Sequence, residues 1–167
     1  MSEPESRAVV AADRLTHTVN EILAEVEALP PAVIHWVPAE GVWTVMDNLC
    51  HLREFVPFWT GETLRIVRRP HELWGRDHSD TARLAAVTNT AGLALHDVAA
   101  DIRRGVREAA GALKALTDAD LAVQATSKNP RWGVKPASFV VDDLLVQHAI
   151  KHQGQIRRNV RQFHDAR

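Results

Sequence analysis

Residues 141–163 read VDDLLVQHAIKHQGQIRRNVRQF, and the fold turns on how that stretch is taken. Val141, Leu144, Leu145, His148, His152, Ile156, Val160 and Phe163 recur at helical spacings, the stripe of an amphipathic helix with one face toward a core. Two of these slots hold histidines four residues apart, so their Cβ atoms lie about 5–6 Å from each other on one face. The ordinary alternative is a pair of core or boundary imidazoles satisfied by neighbouring groups. Burying two imidazoles without partners costs free energy. A shared transition metal, about 2.0–2.1 Å from a nitrogen of each ring, accounts for both at once.

Helical periodicity recurs upstream. From Ser6 to Leu29 the chain carries Val9, Val19, Ile22, Leu23 and Val26 on one face, and Pro30-Pro31 ends the pattern. A polar, tryptophan-containing connection follows, AVIHWVPAEGVW (32–43). Thr44-x-x-Asp47 then has the form of a capping box opening a second helix that reaches about Arg69. Pro57 falls inside it and cannot donate to the carbonyl of Arg53. A kink is expected there, with two helices meeting at Pro57 as the alternative. HELWGRDHSD (71–80) is a loop by composition. A third helix carries Leu84, Val87, Leu95, Val98, Ile102, Val106, Leu113 and Leu116, and Thr117–Asp120 starts a short further turn. TSKNPRWGVKP (126–136) is turn-rich with room for an extended piece. Ser138 is placed to cap the last helix, with Asp142 and Asp143 in its first turn suiting the helix dipole. These patterns predict an all-α fold, one domain over 1–167, built as a four-helix bundle with longer connections before the second and fourth helices.

A chain of 167 residues can bury a self-sufficient core. Lys plus Arg number 20 and Asp plus Glu 21, for a net charge of −1, so no basic surplus drives binding to nucleic acid. Arg65, Arg68 and Arg69 form the nearest approach to a basic patch and belong at a helix end. Cys50 is the only cysteine, which excludes an internal disulfide, fits a reducing compartment and reads as a small buried apolar residue. The acidic, polar start MSEPESRAVVAADR lacks the apolar run of a signal peptide. No stretch approaches the ~18 apolar residues of a membrane span. A cytoplasmic protein with neither membrane nor nucleic-acid partner is expected.

Two histidines make a weak site, so a third ligand is needed from another helix. Among nine histidines, His51 in MDNLCHLREF shares its helical face with Phe55 and Phe58. His96 in LALHDVAA has Gly92, Leu93 and Ala99 beside it, and spacing leaves both open. His17, His35, His71, His78 and His164 lie near helix ends, in loops or beside charges, where imidazoles are solvated.

GVWTVMDNLCHLREFVPFW (41–59) followed by LLVQHAIKHQGQI (144–156) resembles the DinB-like (YfiT-like) superfamily. In those proteins a Trp-Ser/Thr segment leads into the second helix, a histidine follows about two turns later, and a His-x-x-x-His pair precedes Gln-Ile on the last helix. The matching residues here are Trp43-Thr44, His51, His148 and His152, and Gln155-Ile156. The resemblance covers most of the chain in element order and spacing. It implies a four-helix bundle in which His51, His148 and His152 hold a divalent transition metal, zinc or nickel foremost, often in a homodimer. Characterised relatives include transferases and isomerases that use a low-molecular-weight thiol, bacillithiol or mycothiol. The isomerase branch carries Glu where this chain has His148, which sets the chain nearer the thiol-transferases.

Three neutral imidazoles leave a divalent ion its full charge and an open position, the pattern of a catalytic site. Such a site supports hydrolysis by activated water or presentation of a substrate thiolate to an electrophile. The resemblance favours the second, an S-transferase acting on a small electrophile with a small thiol as cosubstrate. A metal-dependent hydrolase and a non-catalytic metal- or ligand-binding stress-response protein are the alternatives. Glu54, three residues past His51, is either an acceptor for an imidazole N–H or a surface carboxylate. Gln155, three past His152, is placed to touch ligand or ring. Asp47 is explained by capping. Of four tryptophans able to line a cleft, Trp43, Trp59, Trp74 and Trp132, the best placed are Trp43 and Trp132, in connections that reach the bundle's open end. Arg131 is a candidate carboxylate binder or a solvated arginine.

Overall fold

Ser6 starts the first helix, α1 (Arg7–Glu27), its Oγ accepting the Val9 amide at 3.3 Å. The computed structural model describes residues 5–167; residues 1–4, where the acidic N-terminal stretch begins, lie outside the described residues. Ala8, Ala11, Leu15, Val19, Ile22 and Val26 form the buried face of α1, against which α5 packs most extensively. The connection after it is not wholly irregular. Pro31 opens a one-turn helix, α2 (Pro31–Ile34), that buries Val33 and Ile34, as proline at a first helical position allows.

Helix α3 (Val45–Arg68) has the expected capping box, with Thr44 Oγ1 accepting from the Asp47 amide at 3.0 Å and Asp47 Oδ2 from the Thr44 amide at 2.9 Å. It runs unbroken through Pro57, so the alternative of two helices is not what forms. Pro57 is exposed, which leaves the unpaired Arg53 carbonyl on the solvent side, where water can take it. Arg65 and Arg68 occupy the last turn.

The third helix departs from expectation at its start. A short helix α4 (Thr81–Ala86) and a 3₁₀ turn (Thr90–Gly92) precede α5 (Leu95–Lys114). The break is Asn89, at φ +57°, a left-handed conformation that asparagine tolerates because its short polar side chain bonds locally. Leu84, read as part of the core stripe, is 46% exposed, and α4 buries none of its residues. The apolar stripe proper begins at Val98 and continues through Ile102, Val106 and Leu113.

Thr117 caps α6 (Asp118–Leu121) in a second capping box with Asp120. The extended piece proves to be a hairpin, β1 (Gln124–Thr126) paired antiparallel with β2 (Val134–Pro136), Ala125 opposite Lys135. Trp74, in the segment read as a loop, is fully buried behind this hairpin. Its indole donates to the Ala125 carbonyl at 2.9 Å, and its backbone bonds Thr126 and Lys128. Gly75 follows at φ +84°, with its amide donating to Glu62 at 2.5 Å. A Cβ there would meet Ser127 Oγ at 3.3 Å on a backbone that favours glycine.

The last helix is composite: α7 (Ala137–Phe139), a π-helical stretch (Val140–Val146) and α8 (Gln147–Asp165). Ser138 does not cap it. The chain enters the helix directly from β2, so Ser138 is already its second residue, and the Ala137 amide is satisfied by the Val123 carbonyl at 2.8 Å. The four long helices α1, α3, α5 and α7–α8 enclose an aliphatic core, and α3 runs against both α5 and the composite helix. That pairing of α3 with α8 positions the site. Among the described residues no helix is long and apolar enough to cross a membrane.

Candidate metal centre

His51 lies two turns into α3, and His148 and His152 lie in the first two turns of α8. The fold brings a ligating atom of each within 4.8 Å of the others. His51 and His152 are buried and His148 is half-buried, open on one side to a cleft. Phe55 stacks on the His148 ring at 4.0 Å and Trp43 stacks on His152 at 5.9 Å, so both rings are held by packing as well as by the helix.

The hydrogen-bond network assigns the ring protons. Asn48 Nδ2 donates to the Thr44 carbonyl at 2.8 Å, which turns Oδ1 toward His152 Nδ1, 2.8 Å away. His152 therefore carries its proton on Nδ1 and keeps a lone pair on Nε2. His148 Nδ1 donates to the Leu144 carbonyl at 3.2 Å, one turn back, and it too keeps Nε2 free. His51 Nε2 lies 3.3 Å from His148 Nε2, while His51 Nδ1 is buried without a hydrogen-bond partner. Two imidazole nitrogens on one tetrahedral ion, each about 2.05 Å from it, stand roughly 3.3 Å apart. The observed separation has that value. A cation between them would accept both lone pairs and leave the His51 proton on Nδ1, facing Glu54 Oε2 at 3.8 Å. The donor set and the orphaned nitrogen both fit a divalent metal.

All three rings are held neutral, as ligands must be. Burial is the first cause for each. It drives His51 down to about 2, helped by His152 and His148 and then by Arg83 and Arg76. His148 falls to about 4, against the Leu144 hydrogen bond and with help from Lys151, Arg83 and Arg76. His152 falls to about 3, pushed also by His148, Lys151 and Arg83 and opposed by the Gln155 side chain.

Glu54 is not a free surface carboxylate. Arg76 grips it with both guanidinium nitrogens at 2.6 and 2.7 Å, bonds Asp80 at 3.1 Å, and lies 3.7 Å above the Phe58 ring. Gln155, Trp43 and Trp132 all line the cleft, and so does Trp59. Trp74 does not: it stacks behind Trp132, ring centroids 5.5 Å apart. His96 is excluded as a ligand. It is the second residue of α5 rather than a mid-helix position, and its side chain is 93% exposed. Arg131 is exposed and away from the cleft. His17, His35, His71, His78 and His164 are exposed as expected, with His78 at the cleft. Asp47 caps α3 and accepts the Thr90 hydroxyl at 2.5 Å. Cys50 is buried, and burial pushes its thiol up, away from a reactive thiolate.

Four participants escaped the sequence reading. Asn48 orients His152, Arg76 immobilises Glu54, Asn159 holds the Trp43 carbonyl at 2.7 Å, and the π-helical stretch precedes His148. Asn48 was the most legible: a polar residue three before His51, on a face otherwise buried. Because its Oδ1 fixes the His152 proton, Asn48→Ala should weaken metal binding about 10–100-fold, the usual cost of losing a ligand's supporting acceptor. A chelator-competition titration measures this, and an unchanged affinity would remove Asn48 from the site.

The cleft above the histidines has a volume of about 810 Å³. A sequence model of the DinB superfamily matches residues 14–156. No curated protein matches the chain. Among solved structures, YfiT from Bacillus subtilis superposes with a TM-score of 0.79 over 97% of this chain and 90% of its own, at 14% identity. That protein is described as a probable metal-dependent hydrolase with an unusual four-helix bundle topology.

Proposed function

This chain belongs to the DinB superfamily, and from that premise we propose that it is a metal-dependent hydrolase of a small molecule, with His51, His148 and His152 as the ligands. The observation that carries the proposal is the 3.3 Å approach of two imidazole Nε2 atoms at the floor of an open cleft. The description of YfiT supports the same reaction class. A divalent ion such as zinc or nickel held there supplies a Lewis acid that lowers the pKa of water toward neutrality.

The chain's own residues prepare the rest. Asn48 and the Leu144 carbonyl keep two ring protons on Nδ1, so that both Nε2 atoms face the same point. Glu54 is occupied by Arg76 and acts from behind His51 rather than as a proton acceptor in the cleft. Trp43 covers the His51–His152 side of the floor and limits how much solvent reaches it. Gln155 lines the cleft one turn from His152, where its amide is placed to hold a polar substrate group.

The cleft volume favours a second reading. About 810 Å³ lies in the upper part of the range that accommodates whole drug-sized ligands, with room for a small thiol and an electrophile together, as a thiol-dependent S-transferase requires. One assay series separates the readings. Protein purified without a histidine tag is stripped, reloaded with one equivalent of zinc or nickel, and offered nitrophenyl esters, lactones and amides. In parallel it is offered thiols with monochlorobimane. Metal-dependent hydrolysis absent from His51→Ala is the expected result. Thiol-dependent conjugation without hydrolysis would replace it with the second reading, and bound metal with neither turnover would leave a binding protein.

A further inference from the structure

Three cations face the cleft without an acid to neutralise them. Arg83, Lys151 and Arg158 line it, and among the described residues none has a carboxylate within ion-pair distance. Arg76, the fourth lining cation, is already committed to Glu54 and Asp80. The opposing acids are Asp77, which is hydrogen-bonded to Ser79, and Asp143. Lys151, Gln155 and Arg158 are spaced four and three residues apart on α8, so they form one strip along the cleft wall. Arg83 comes from α4, with its guanidinium 5.9 Å from the Trp43 ring and one nitrogen donating to the His78 carbonyl at 3.2 Å. It is half-buried, and its charge reaches all three histidines.

Arginine presents five donors in a planar fork suited to carboxylate and phosphate oxygens. At Arg83 one nitrogen is used, and the remaining donors have no acid partner. An aromatic wall of Trp43, Trp59 and Trp132 adjoins it. We propose that Arg83, assisted by Lys151 and Arg158, is an oxyanion-binding subsite, so that the substrate is a small molecule joining a flat apolar portion to a carboxylate or phosphate group. This rests on the metal-dependent reading of the same cleft, but it makes a claim of its own about binding.

The subsite is testable in metal-free protein, where no ion competes for the anion. Tryptophan fluorescence or calorimetry compares 2-naphthoate, 2-naphthyl phosphate and the neutral 2-naphthamide. Wild type should bind at least one of the anions about tenfold more tightly than the amide, the gain expected from one charged hydrogen-bonding contact. Whichever anion is preferred identifies the group. Arg83→Gln should erase the preference while retaining one metal per chain on reloading, since Arg83 touches none of the three ligands and α4 buries nothing. Equal affinity for anion and amide in wild type, or a preference surviving in Arg83→Gln, would overturn the proposal. An anion preference in a protein that turns over no ester or amide leaves this subsite standing and sinks the hydrolase. Turnover with no anion preference does the reverse.

Discussion

His152→Ala should release the metal. Wild-type protein is expected to carry close to one divalent ion per chain by elemental analysis, and the variant almost none after the same loading and desalting. Two causes act together. One of three ligand nitrogens disappears, and the supporting Asn48 Oδ1, 2.8 Å from the lost Nδ1, is left unpaired in a buried position. The loss should therefore exceed the roughly 10–100-fold that removal of a supporting partner alone brings. An unsatisfied buried acceptor also costs about 1–3 kcal/mol of fold stability, so the variant should unfold a few degrees earlier even without metal. His96→Ala is the control. That imidazole is as solvent-exposed as a side chain can nearly be, and its removal should change neither metal content nor melting. Wild type that stays metal-free after zinc and nickel supplementation, or His152→Ala that keeps a full equivalent, would end the three-histidine account.

The three histidines that the fold brings together were legible because each obeys a local rule. His148 and His152 occupy apolar slots of a strongly periodic helix, and His51 shares a face with Phe55 behind a capping box that the structure reproduces atom for atom. What escaped depends on contacts between distant segments. Arg76 sits in a polar loop and finds Glu54 only because the hairpin at 124–136 buries Trp74 beside α3. Trp74 itself has no helical or strand pattern around it, so nothing local marks it as core. Ser138 has good capping chemistry, yet β2 feeds the helix two residues earlier, and the Val123 carbonyl, just before β1, takes the Ala137 amide instead. Leu84 and Val87 match the helical period, and a single left-handed residue, Asn89, removes them from it. The π-helical stretch at 140–146 leaves no trace in a stripe read at 3.6 residues per turn. Such widened turns recur at functional sites, and this one sits immediately before His148, whose Nδ1 is held by a carbonyl from within it.

Lowering the pH from 7 to 5 should strongly destabilise the metal-free protein. In the unfolded chain each histidine takes up its proton near pH 6.5. In the fold, burial keeps His51 neutral down to about 2, His152 to about 3 and His148 to about 4. Between pH 4 and 6.5 the unfolded state thus binds more protons than the native state, so unfolding free energy rises with pH across that window and falls as acid is added. At pH 5 the difference is about 2 kcal/mol for each of His51 and His152, and nearly as much for His148, whose folded value of about 4 still lies below that pH. That is a large fraction of the 5–15 kcal/mol by which domains are usually stable. Metal should steepen the effect, because protons and the ion compete for the same lone pairs, so a metal-loaded sample loses both its ion and its stability in the same range. Urea denaturation at pH 7, 6 and 5, with and without one equivalent of zinc, reads this directly. A metal-free midpoint that stays constant down to pH 5 would mean that the three rings already meet solvent and can charge in place. Rings that charge in place would repel one another and have no lone pair left for an ion, and the cluster would lose its claim to be a preformed site.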